Sequence, residues 1–253
     1  MLNLKKDKES IILCNTMVKK IVAIHQPNLF PWLGYFNKIY RSDEFVFLDH
    51  TINNRTEAIY TRRVQVLNTQ GVSTFLTIPV RKITGSDFGP LNQWEINFEQ
   101  IGFPRKQLES FKQTYSKHFY FDEVFPFIEL FFEENYKNSL TLKNINFIKE
   151  ICQKLNINTN FHISSDFNID LNSTEMLISI VKLLEGNSYL SGAGGDNYQD
   201  PNLFKAKNID LIRQKYMHPT YLQNKSNNFI NGLSIIDCLM NIGFNKTEIL
   251  IKN

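Results

Sequence analysis

Residues 20–50, KIVAIHQPNLFPWLGYFNKIYRSDEFVFLDH, decide how the chain reads. Lys20–Ile24 is a β-branched run, and it is cut off by Pro27 and Pro31, which forbid regular pairing or helix. Trp32, Leu33, Phe36, Ile39 and Tyr40 then recur at helical spacing, and Glu44–Asp49 is a second apolar run of strand length. Strand, polar loop, helix, strand is the βαβ unit of a parallel sheet. Ligands of such sheets sit at the carboxyl ends of the strands, where both His25-Gln26-Pro27-Asn28 and Leu48-Asp49-His50 fall.

The same rhythm returns from Thr141 onward. Leu142–Leu155 carries Ile145, Ile148, Ile151, Cys152 and Leu155 on one stripe. Asn160–Ser164 reads as a strand, and Asn172 with Glu175 resembles a capping box opening the helix Thr174–Glu185, which Gly186 ends. Tyr189–Ser191 is a short strand feeding GAGGDNYQDPN, and Ser234–Asn241 a last helix. Between the two halves the pattern differs. Arg62–Leu67 and Ser73–Val80 predict a hairpin around Asn68–Gly71, Trp94–Phe98 a further strand, and 104–115 and 124–136 helices. The expectation is an α/β fold, a mainly parallel, Rossmann-like sheet flanked by helices, with a small β/helical insertion at roughly 50–140. Residues 17–253 form the single domain; residues 1–16 read as a mobile extension or an alternative start upstream of Met17.

Composition narrows the function. A net charge of +3 suits an anionic small molecule and is too weak for nucleic acid. No apolar run reaches the ~18 residues of a membrane span, and no signal-peptide core precedes Met17. Cys14, Cys152 and Cys238 share no motif spacing, which points to a reducing, cytoplasmic setting without a cysteine-based metal site. No histidine pair has metal-ligand spacing either, so no metal-ligand residues are assigned.

Five constellations carry the candidate chemistry. His25, Gln26 and Asn28 gather polar groups at a strand end, in a loop made rigid by its prolines. Asp49 beside His50 could supply a general base or bind a metal or an amine, and reads equally as a cap of the following turn. Arg55, and one of the adjacent Arg62 and Arg63, would suit a phosphate clamp; neighbours on a strand face opposite sides, so only one of the pair can serve, and Arg63 is taken. Ser191, Gly192, Gly195 and Tyr198 belong to a glycine-rich loop that matches neither dinucleotide nor P-loop spacing, yet follows a strand as a ligand loop would. His218, next to Pro219, is either a second imidazole of the site or a turn residue.

Taken in order, IHQPNLFPWLGYFNKI, SDEFVFLD, YLSGAGGDNY, HPTYLQ and NGLSIIDCLMNIG resemble the WbqC-like protein family from about Met17 to Gly243. The HQPN and FPWLGYF block is the most specific part. The resemblance implies a place in bacterial O-antigen (lipopolysaccharide) or other surface-polysaccharide biosynthesis, where members are described as glycine or aminoacyl transferases acting on amino sugars. Carried over position by position, it would have His25, Gln26, Asn28, Tyr35 and Asp49 line one wall of a site, and Ser191, Gly192, Gly195 and Tyr198 the other. The expected substrate is then a nucleotide-linked amino sugar. The acyl group would come from a coenzyme A or acyl-carrier-protein thioester, or from an amino acid activated with ATP. Two competing readings stand beside this: a non-catalytic sugar-nucleotide or carbohydrate-binding protein, and an ATP-dependent amide ligase.

Overall fold

The computed structural model describes residues 18–51, 59–81, 89–133, 138–192, 194–195, 199–224, 226 and 228–253. The 1–16 extension, Cys14, Arg55 and Tyr198 lie outside the described residues. The elements are β1 (Ile21–His25), α1 (Leu33–Tyr40), β2 (Glu44–Phe47), α2 (Ile59–Arg62), β3 (Arg63–Leu67), β4 (Ser73–Thr77), α3 (Arg105–Tyr115), α4 (Phe121–Phe132), α5 (Leu140–Lys154), β5 (Asn160–Ile163), α6 (Ser173–Leu183), β6 (Ser188–Ser191), α7 (Pro201–Ala206), β7 (Asp210–Arg213) and α8 (Ile235–Lys252).

Five strands make one parallel sheet in the order β5-β2-β1-β6-β7. Counted along the chain this is third, second, first, fourth, fifth, the order of a Rossmann-like sheet. The strand pattern explains why both faces are covered. Ala23, Phe45, Phe47 and Leu190 enter a core with α1, α5 and α8, whereas Val22, Ile24, Val46 and Tyr189 enter a second core with α6 and α7. Alternate residues go to opposite faces, and both are apolar because neither face meets water. The β3–β4 hairpin pairs antiparallel as expected, Arg63 opposite Thr77. Its buried Val64, Val66 and Leu76 join the first core together with Phe111, Val124 and Ile128 of α3 and α4. Among the described residues no helix is long and apolar enough to cross a membrane.

Several expectations need correction. Trp94–Phe98 forms only isolated bridges, Val80 to Ile96 and Glu95 to Ser139, because residues 91–93 turn as a 3-10 helix directly before it. Asn172 does precede α6, but its side chain caps nothing; Ser173 takes a left-handed φ of 53° instead. Trp32 and Tyr40 stay substantially exposed, so the buried side of α1 is made by Leu33, Tyr35, Phe36 and Ile39 with Asn37 and Lys38. Strand β7 and helix α7 were not anticipated; β7 is a sheet edge, and DLIR is too short and too polar to announce a strand. The final helix runs to Lys252 with a bend at Gly243, where φ is 73° and a Cβ would strike the Tyr120 ring.

The loop after β1 is fixed carbonyl by carbonyl. Gln26 O accepts from Tyr35 Oη (2.8 Å), Pro27 O from Asn144 Nδ2 (2.9 Å), Phe30 O from Ser234 Oγ (2.8 Å) and Pro31 O from Ile235 N (2.8 Å). Leu29 N donates to Tyr60 O at 2.9 Å. Phe30 adopts a left-handed φ of 38°, a conformation that costs a bulky residue about 1–3 kcal/mol. Its ring offsets that cost by packing in contact with Phe111, Phe131, Phe132 and Phe147. Asn144, fully buried on α5, also bonds Thr61 O at 2.7 Å, so one amide joins the loop to α2. Replacing Asn144→Ala leaves two buried carbonyls without a donor. The expected loss is about 3 kcal/mol, seen as a lower denaturant midpoint at unchanged slope.

Candidate functional site

The sheet order reverses at β1: the chain goes to β2 and β5 on one side, then returns to β6 on the other. In sheets of this kind ligands bind in the crevice outside the strand ends where the order reverses, which here is the boundary between the loops leaving β1 and β6. His25 closes β1 on the α1 side, with its ring edge-on to Tyr35 at 4.8 Å. Its Nδ1 lies 3.1 Å from Gln26 O. A carbonyl only accepts, so Nδ1 carries the hydrogen and Nε2 is left as an acceptor. Burial, and then the Lys38 ammonium, push the His25 pKa down to about 3, so the ring is neutral at physiological pH. Burial likewise pushes the Tyr35 phenol well up and keeps it a donor. Asn28 is buried in the same loop, and its Oδ1 has no partner among the described residues.

Lys38 is the residue that reading the sequence missed. From α1 its Nζ donates to the Ile24 carbonyl at 2.8 Å, just ahead of His25. The side chain is 3 % exposed, and among the described residues no carboxylate pairs with it. Burial lowers its pKa to about 7. A Cβ built on Gly192 would lie 3.9 Å from Nζ, so the first residue after β6 lies over the amine. The signal was present as a lysine inside a helix that is otherwise buried on nearly every side.

The β6 wall is built from Ser191 and its supports. Ser191 Oγ donates to Gln199 Oε1 at 2.7 Å, and Arg213 Nη1 donates to the same oxygen at 2.7 Å. Gly195 packs so closely that a Cβ would collide with Ser191 Oγ and the Gln199 amide. Gly192 thus borders the crevice, while Gly195 is required by packing. On the far side Gln214 Nε2 donates to Gly34 O (2.8 Å) and Asn37 Oδ1 (2.9 Å), tying α1 to the end of β7.

Asp49 lies beyond β2, next to β5. Its Oδ1 accepts from Ser164 Oγ (2.9 Å) and Ser165 N (2.9 Å), and its Oδ2 from Ser165 Oγ (2.8 Å). With the Ser164 hydrogen directed at Asp49, His50 Nδ1 at 2.6 Å must donate to Ser164 Oγ. The carboxylate therefore holds the ends of β2 and β5 together and orients His50. The two serines follow β5 in a segment far away in sequence, which is why the contact was not foreseen.

The remaining candidates fall elsewhere. Arg62 ends α2 and Arg63 begins β3, so the pair does not alternate along one strand. The Arg63 guanidinium lies over the Phe75 ring at 3.9 Å, on the hairpin. His218 stacks on Trp32 at 5.9 Å and 17°, with Nδ1 3.0 Å from Pro219 O; burial lowers its pKa. The Trp32 ring in turn covers Gly34, where a Cβ would collide with it. His218 is thus part of an aromatic stack against α1. Among the described residues no group of three His, Cys, Asp or Glu could hold a metal ion.

An uncompensated buried lysine is costly to the fold. Its unfolded pKa is 10.5 and its folded value about 7, so the cost is full below pH 7 and vanishes as pH rises through the unfolded value. On the order of 4 kcal/mol is at stake at neutral pH. Lys38→Met is expected to stabilise the ligand-free protein at pH 7 by about 2 kcal/mol or more, with the gain shrinking towards pH 10. Thermal melts at several pH values check it.

The chain was compared with known proteins. The WbqC-like protein family matches residues 26–249. A relative in Mycobacterium tuberculosis (strain ATCC 25618 / H37Rv), "Uncharacterized protein Rv1507c", is 26% identical over 224 residues, covering 88% of this chain and 94% of the relative. No solved structure matches. With the family match spanning nearly the whole fold, from the HQPN loop into the last helix, the chain belongs to the WbqC-like protein family.

Proposed function

We propose that the protein is a transferase that attaches a small acyl group, glycyl or aminoacyl, to the amine of a nucleotide-linked amino sugar, in the cytoplasmic steps of bacterial surface-polysaccharide (O-antigen) biosynthesis. The observation that carries this reading is the pairing, at the β1–β6 boundary, of a neutral imidazole with a buried lysine that has no counter-charge among the described residues. Family membership supports it.

Acyl transfer to an amine requires a proton acceptor and donors towards the developing oxyanion. The amine nitrogen attacks the thioester carbonyl, the C–S bond breaks, and the thiol leaves with the proton that nitrogen gives up. His25 Nε2 is assigned as the hydrogen-bond acceptor that orients the attacking amine; with a pKa of about 3 it does not keep the proton, which passes on to the departing thiolate. Asp49 is assigned a positioning role, because its lone pairs are engaged by Ser164 and Ser165. Gln26, Asn28 and Tyr35 on one side and Ser191 and Gly192 on the other would shape the pocket for the sugar.

The test incubates the protein with a nucleotide-linked amino sugar and either aminoacyl or acyl thioesters, or amino acid with ATP. The expected result is a sugar nucleotide heavier by the acyl group, with thiol release in step. With ATP as the only productive co-substrate, AMP or ADP release would move the assignment to an amide ligase. His25→Ala is expected to lower kcat by about 10²–10⁴ while sugar-nucleotide binding persists. Because His25 titrates near pH 3, its contribution to the rate stays level from pH 6 to 8. No product with any donor, together with no binding of the sugar nucleotide, overturns the reading.

A further inference from the structure

The geometry points to Lys38 as the anchor for an oxyanion of the bound ligand, of the phosphoryl or carboxylate type, seated beneath Gly192 between the ends of β1 and β6. Among the described residues only one of its three N–H donors is used, on Ile24 O. Only 3 % of the residue is exposed, so its contacts are those the fold supplies. A buried ammonium is retained against its desolvation cost where an anion completes it. Gly192 leaves the amine's approach unobstructed by a side chain of its own. His25 on β1 is the titratable group whose charge Lys38 meets. Arg213, at the end of β7, is engaged with Gln199. Asp200, beyond the glycine loop, caps α7 by accepting from Asn202 N. Neither α1, β1, β6 nor the described residues of the loop after β6 offers Lys38 a carboxylate.

The inference rests on the proposed reading only in taking this crevice as the ligand site; it requires no acyl transfer. An amine that is largely neutral above pH 7 must take up a proton when an anion binds. Calorimetry with sulfate, whose charge is constant from pH 6 to 8, in buffers of different ionisation enthalpy reads that proton directly. The expected uptake is close to one proton at pH 8 and small at pH 6. Uptake that instead grows towards pH 5 assigns the anion to His25 and overturns the inference. Inorganic pyrophosphate and acetate are run as parallel arms: tighter pyrophosphate assigns the seat to a phosphoryl group, tighter acetate to a carboxylate.

Lys38→Met is expected to weaken the preferred anion at least 10-fold, whereas Lys205→Met, on exposed α7, leaves it unchanged. Equal weakening by both assigns binding to overall charge and overturns the inference. So does unchanged anion binding in Lys38→Met with turnover lost, because Lys38 would then be a base rather than an anchor. Anion binding with proton uptake, but without product from any donor, sinks the transferase reading and leaves the anchor standing.

Discussion

β1 is hydrogen-bonded along both edges and covered on both faces, so the chain can present polar groups from it only at its ends. This constraint organises the molecule. The carboxyl end of β1 is where the sheet order reverses, and the loop that leaves it cannot pair with either neighbour. Its carbonyls must still be satisfied, and side chains from α1, α5 and the start of α8 do so. Those bonds draw together segments more than a hundred residues apart. The first core then closes around Leu29 and Phe30, both fully buried.

Lys38 contrasts with two buried carboxylates whose compensation is visible: Glu44 has Lys20 and His162, which hold its carboxyl below the usual range, and Asp237 accepts from Tyr115 and Tyr221. Burial still raises the Asp237 carboxyl, so that cluster is a structural bolt between α3, the segment before α8 and α8 itself. Among the described residues Lys38 has a single carbonyl. Forgone stability of this kind commonly accompanies function, which is what motivates the anchor inferred above.

How much of this was legible in the sequence depended on how local each signal was. The βαβ unit, the hairpin and the α5 stripe follow from periodicity within one segment, and they form as expected. HQPN was placed at a strand end because prolines punctuate the chain there. Lys38 was passed over because helical periodicity marks faces, and α1 has almost no solvent face to contrast with. The Ser164–Asp49 contact, the Gln199 support of Ser191 and the edge strand β7 depend on which strands become neighbours, and no local pattern states that. Gly195 reads in the sequence as part of a ligand loop, and its place is explained by the Ser191–Gln199 pair, which only the folded chain brings together.

The fastened loop between β1 and α1 also bears on how ligands are told apart. Its residues lose their conformational freedom when the chain folds, so little of that entropy remains to be lost when a ligand arrives. A wall of this kind does not reshape itself around a near-miss, and selectivity among similar ligands would rest on steric mismatch rather than on a closing motion. On the proposed function, widening the range of ligands would then call for changes in the tethers on α5 and α8 as much as in the residues proposed to line the site.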